Sequence, residues 1–86
     1  MDEIQQLRKK VDAIDDQILN ALHERVKTCK SIGDSKKKQG KPIRDILREK
    51  DLYERVKERS IRLGLNSGQV EAVYREIVNM CSAVQE

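Results

Sequence analysis

The chain has 86 residues, 38% of them charged and 2% aromatic, with no Trp or Phe and a net charge of +3. That length allows one domain, 1–86, with little core of its own. The small charge surplus excludes a polybasic protein and suits an anionic small ligand as well as nucleic acid. Such a composition fits long amphipathic helices that find their core against another chain.

The first element is read from about Asp2 to about Lys38. Its apolar residues, Ile4, Leu7, Val11, Ile14, Ile18, Leu22, Val26, Cys29 and Ile32, alternate three and four apart, a heptad seam. Asp2 is placed to cap it. Gly33 falls inside the pattern and weakens it by about 1 kcal/mol, but no proline stops the helix before Pro42. The second element follows Gly40-Lys41-Pro42 and runs to about Leu63, with Gly64 as its C-terminal signal. The third starts at Asn66-Ser67 and runs nearly to the end, with Val70, Val73, Ile77, Met80 and Val84 as its core row. No stretch alternates with period two, so the expected fold is all-α, three helices, one of them very long.

A helix of about 35 residues is about 50 Å long, whereas a compact chain of this size is only about 30 Å across. The first helix overhangs whatever its own chain can fold against it. Its seam is apolar along most of that length, so a second copy is expected to cover it: an intertwined homodimer with antiparallel long helices.

Each helix carries charged or polar positions that contradict its apolar seam. In KPIRDILREKDLYERV, residues 41 to 56, helical winding puts Asp45 and Glu49 in the same arc of roughly 120° as Ile46, Leu52, Tyr53 and Val56, with Arg48 on its shoulder. In the first helix Arg25 stands where the seam wants an apolar residue, and Lys36 lies eleven residues on, nearly the same face. In the third, Tyr74, Val78, Cys81 and Gln85 form a row beside the apolar one. Buried charges need partners, and the cations here outnumber the anions. That surplus points to an anion held inside the bundle. Each residue also has a plainer reading: Arg25 snorkelling from a seam edge, Asp45 favouring a helix N-terminus, Glu49 pairing with Arg48 or Lys50, the lysines at 36–38 as a solvated face.

The order LRKKVDAIDDQILNALHERV, then Lys36, then KPIRDILREKDLYERV, then a Gln near the end resembles the all-helical class of chorismate mutases. The specific parts are LR-xx-V-D-x-I-D at Leu7–Asp15, Glu24-Arg25, and P-I-R-D-xx-R-E at Pro42–Glu49. The resemblance implies an intertwined dimer with two shared sites and the isomerase reaction that rearranges chorismate to prephenate on the route to phenylalanine and tyrosine. It implies substrate binding by Arg8 of one chain with Arg25, Lys36, Asp45, Arg48, Glu49, Cys81 and Gln85 of the other. Lys36, Gln85, Arg25 and Glu49 would act in catalysis. Cys81 departs from the small hydroxyl-bearing residue that can stand there, and a thiol is a weaker donor. Arg8 and Arg25 are seventeen residues apart, about 25 Å along one helix, so an antiparallel partner is needed to bring both to one ligand.

No cofactor is expected, because a pericyclic reaction needs none. One histidine, His23, and two distant cysteines, Cys29 and Cys81, give no zinc spacing. Neither a membrane span nor a signal peptide is expected, and a cytoplasmic location is. Two rival readings remain open: an isochorismate pyruvate lyase-like enzyme on the same fold, and a nucleic-acid or interaction module using Lys27, Lys30 and the lysines at 36–38. The second predicts DNA or RNA binding that falls steeply with salt.

Overall fold

A computed structural model describes residues 2–86. It holds three α-helices: α1, Glu3–Gln39; α2, Ile46–Arg62; and α3, Ser67–Gln85. Each start is fixed by a side chain that satisfies an otherwise unpaired helix N–H. Asp2 accepts from the Ile4 N–H, Asp45 from the Arg48 N–H, and Asn66 from the Gln69 N–H. The stops are backbone reversals at Gly40 (φ 67°) and Gly64 (φ 73°), where a side chain would be strained. The Gly40 N–H returns to the carbonyls of Lys36 and Lys37, closing the last turn of α1.

These boundaries correct one expectation. Helix α2 begins at Ile46, three residues later than a start right after Pro42 would give. Pro42, Ile43 and Arg44 form a non-helical approach, and Asp45 is the cap itself. Asp45 therefore does not lie on the apolar face of α2. The plainer reading, a carboxylate at a helix N-terminus, describes its backbone role.

The molecule is elongated, 58 × 24 × 15 Å, with a radius of gyration of 16.3 Å, well above the ~12 Å of a compact chain this long. Helix α3 packs on both α1 and α2, while α1 and α2 do not pack on each other. The core of the single chain is accordingly small: Leu52 and Val56 of α2 meet Val78 of α3, flanked by Tyr53, Val70 and Tyr74. Ser60 continues the α2 stripe one turn on, buried because its hydroxyl donates to the Val56 carbonyl at 2.7 Å.

The buried stripe of α3 is Val78, Cys81 and Gln85, in line with half-buried Tyr74. The expected core row lies beside it and is covered only in part: Val70 and Ile77 are half-buried, while Val73, Met80 and Val84 are exposed. Helix α3 turns its small and polar row inward because α1 approaches closely there, as the site makes plain. The long seam of α1 divides in two. In its second half, Leu22, Val26 and Cys29 are half-buried, while Ile32 is still 46% exposed. Before that, Ile4, Leu7, Val11, Ile14 and Ile18 are 45–58% exposed. Ile46 of α2, counted with the apolar arc, is 80% exposed. Among the described residues no helix is long and apolar enough to cross a membrane.

Leu52 is the keystone of the small core, 4% exposed between α2 and α3. Leu52→Ala is expected to lower unfolding free energy by about 2–4 kcal/mol, read from urea denaturation. A loss below about 1 kcal/mol would mean that α2 is not held by this contact.

Candidate functional site

Where the C-terminal half of α1, the start of α2 and the last two turns of α3 converge, they enclose a cavity of about 280 Å³. It is lined from α1 by Arg25, Cys29, Ile32 and Lys36, and from α3 by Val78, Cys81, Ser82 and Gln85. Asp45, Arg48, Glu49 and Leu52 close it from α2 and its cap, with Ile43 and Arg44 from the preceding segment. Seven of the eight residues expected from the sequence thus border one volume. The eighth, Arg8, is exposed on the overhanging part of α1, seventeen residues or about 25 Å from Arg25.

The two inward cations of α1 have only neutral acceptors. The Arg25 guanidinium donates to Cys81 Sγ at 2.7 Å and lies 3.8 Å from Cys29 Sγ. The Lys36 ammonium donates to the Ile43 carbonyl and to Gln85 Oε1, the latter at 3.0 Å. Among the described residues neither cation forms a salt bridge. Both are partly buried. An ammonium has three N–H donors and a guanidinium five, so each keeps donors for a ligand. With its oxygen on Lys36, the Gln85 carboxamide retains its NH₂ as a second donor group. Cys81 serves Arg25 as an acceptor, so the departure from a hydroxyl at this position leaves the guanidinium anchored.

The carboxylates sit at the other wall. Glu49 is held bidentately by Arg44, at 2.7 and 3.0 Å, rather than by Arg48 or Lys50. Hydrogen bonding to Arg44 holds the Glu49 carboxyl below the usual carboxylate range. Arg48 is therefore not committed to Glu49; its backbone N–H caps on Asp45 Oδ1 at 3.0 Å, and its side chain borders the cavity. Burial, with a hydrogen bond to Cys81, pushes the Cys29 thiol up to about 11. Cys29 is thus a neutral thiol at physiological pH, a poor nucleophile. Among the described residues no group of three His, Cys, Asp or Glu could hold a metal ion.

A larger hollow, about 570 Å³, lies between the far ends of α2 and α3 and is lined by Arg55, Arg59, Arg62, Leu65 and Tyr74 among others. It contains none of the expected site residues. Chemistry rather than volume selects the smaller cavity, where donors from separate helices converge.

Several residues of the site went unnoticed in the sequence. Cys29, counted only as a seam residue, is one turn beyond Arg25 on the same stripe, so its spacing carried a signal. Arg44 and the Ile43 carbonyl precede the helix cap, where periodicity carries none.

A family model described as chorismate mutase type II matches residues 7–86. The chain is 35% identical, over its full length, to a bifunctional chorismate mutase/prephenate dehydratase of Aquifex aeolicus, of which it covers 25%. It is 37% identical to a chorismate mutase of Methanocaldococcus jannaschii, over 66% of this chain and 58% of that one. The chain therefore spans about a quarter to somewhat over half the length of these curated relatives. Among solved structures, a conserved hypothetical protein from Pyrococcus furiosus superposes with a TM-score of 0.78 at 29% identity, covering 100% of this chain and 99% of that one.

The Arg44–Glu49 pair makes a pH prediction. A lowered carboxyl pKa adds stability that is fully present above the ordinary value, about 4.3, and lost as pH falls through the lowered one. Arg44→Ala should raise the Glu49 midpoint towards the ordinary value, read by carbon-detected NMR titration. An unmoved midpoint would mean that this half-exposed pair does not persist in solution.

Proposed function

Because the chain belongs to the chorismate mutase type II family, we propose that it rearranges chorismate to prephenate, an isomerase step towards phenylalanine and tyrosine. The observation that carries this reading is the pair of inward cations, Arg25 and Lys36, whose only acceptors among the described residues are two thiols, a carbonyl and a carboxamide. A dicarboxylate supplies the charge they lack.

The reaction is pericyclic and asks for a conformation and a field. Arg25, with Arg48 in support, would fix substrate carboxylates, for which the planar guanidinium fork is suited. As the carbon–oxygen bond breaks, negative charge grows on the ether oxygen. Lys36 and the Gln85 NH₂ would donate to it, and that stabilisation rises in the transition state. Glu49, held ionised by Arg44, would accept from the ring hydroxyl. Asp45 borders the same wall and adds a second acceptor there.

The active form in this proposal is a homodimer. Three features of the chain support it: the uncovered apolar row Ile4, Leu7, Val11, Ile14 and Ile18, the 58 Å length, and the lack of packing between α1 and α2. A partner's α1, antiparallel to this one, would run alongside α2. Arg8 to Asp16 is about 12 Å of helix and Arg48 to Arg59 about 16 Å. A partner that offers its Arg8 to the cavity would therefore bring Asp12, Asp15 and Asp16 near Arg55 and Arg59 in the larger hollow. Two unpaired thiols and a small soluble substrate suit a cytoplasmic setting.

The lyase alternative shares the fold, and turnover of chorismate against isochorismate separates the two. The test of the main reading is loss of chorismate absorbance with prephenate confirmed as product. Lys36→Ala should then lower kcat by about 10²–10³-fold; wild-type turnover by that variant would remove Lys36 from the mechanism. Arg8→Ala and Arg25→Ala subunits, each inactive alone, should regain activity when mixed, because a heterodimer rebuilds one intact site. A verified heterodimer with no activity would overturn shared sites.

A further inference from the structure

Gly33 lies in the middle of α1 with ordinary helical geometry, so no unusual backbone angle calls for glycine there. What does is proximity. A Cβ built on Gly33 would stand 2.7 Å from Gln85 Cγ, 2.8 Å from its Cβ and 2.9 Å from its Cα. Packed side chains do not approach so closely, and the third of these atoms is backbone. Relief therefore cannot come from a rotamer change alone; the last turn of α3 would have to move away from α1. Among the described residues Gly33 is the only buried one of that long helix, and Gln85 is 7% exposed.

That turn carries the Gln85 carboxamide, whose oxygen accepts from Lys36 at 3.0 Å, one helical turn beyond Gly33. One residue further, the Lys37 ammonium donates to the Glu86 carbonyl at 3.2 Å. The end of α3 is thus docked at three successive points of α1, residues 33, 36 and 37, and the first is a contact between helix backbones. We propose that Gly33 is a positioning residue for the proposed reaction: its missing side chain sets the depth at which Gln85 enters the cavity and meets Lys36. This rests on the mutase reading of the same site. Gly33 does not touch the substrate; it acts through Gln85. A displacement of about 1 Å in a group that stabilises a transition state costs roughly 10²-fold in rate, and any side chain at position 33 imposes a displacement of that order.

The experiment compares Gly33→Ala, Gln85→Ala and the double variant, each by steady-state kinetics with chorismate, far-UV circular dichroism and thermal melting. Alanine is the better helix former, so Gly33→Ala should keep full helicity. Its kcat should nonetheless fall about 10²-fold, with KM moving less than threefold because the Arg25 end of the cavity is untouched. The double variant should be no slower than Gln85→Ala alone, since the effect of Gly33 passes through Gln85. Wild-type kcat in Gly33→Ala, or a double variant that loses the product of both single factors, overturns the proposal. If Gly33→Ala does not fold, the Gln85→Gly background removes two of the three clashing atoms. There, Gly33→Ala should fold and leave kcat equal to Gln85→Gly alone; a further loss in kcat or failure to fold overturns it. Absence of chorismate turnover in the unaltered protein instead overturns the functional reading. The docking is then judged by melting temperature alone, where Gly33→Ala must destabilise more in the native background than in Gln85→Gly.

Discussion

The rest of the molecule is arranged around two cations that the protein does not neutralise. Arg25 and Lys36 project from one face of α1 into the junction of all three helices. Removing charge from water is costly unless something compensates. Here the compensation is partial: sulfur, carbonyl and carboxamide acceptors hold the side chains in place without cancelling their charge. The acids of the cavity are engaged elsewhere, Glu49 with Arg44 and Asp45 with the first turn of α2. Under the proposed function, an arrangement that anchors cations and directs acids away from them is prepared for a ligand that brings negative charge of its own. This preparation also explains why α3 turns Cys81 and Gln85 inward in place of Met80 and Val84. Its inward row must supply acceptors as well as bulk.

Local signals made the helices legible. Asp2, Asn66, Gly40 and Gly64 lie at the boundaries they mark, because caps and left-handed glycines act through neighbouring backbone groups alone. The register of the buried face was less legible. A heptad seam in α1 says that a stripe is apolar, but not which part of it the same chain covers, and only Leu22, Val26 and Cys29 are partly covered. In α3 two adjacent rows were both plausible, and the more apolar row proved the less covered one, with Val73, Met80 and Val84 exposed. Hydrophobicity ranks rows by what they would gain from burial. It does not register that a close backbone approach admits only the row whose residues fit.

The same distinction runs through the site. Arg25, Lys36, Glu49 and Gln85 were visible as charges or amides on faces that should be apolar. Asp45 was visible too, for a partly mistaken reason: it borders the cavity as a helix cap, not as a member of the apolar face. Arg44 was invisible because it precedes its helix and meets Glu49 across the cap, where no period applies. Gly33 read only as a weak point in a helix, since a residue that acts by lacking atoms leaves no chemical signature until its neighbour is placed.

A small helical chain can carry this chemistry because the proposed reaction makes few demands. Nucleophilic or acid–base catalysis needs a tuned pKa and a second group to maintain it, usually inside a larger core. A pericyclic rearrangement needs donors at fixed separations, which helices supply through their rise and crossing points. The cost is that precision moves from side-chain tuning to helix docking. Three helices, only one of them long, give few contacts with which to fix that docking, and the core of Leu52, Val56 and Val78 lies on the α2 side. On the α1 side, depth is set where α3 meets a glycine and two lysines. The site thus depends most on a contact that adds little buried apolar surface, so activity and stability should respond to different substitutions along the same helix.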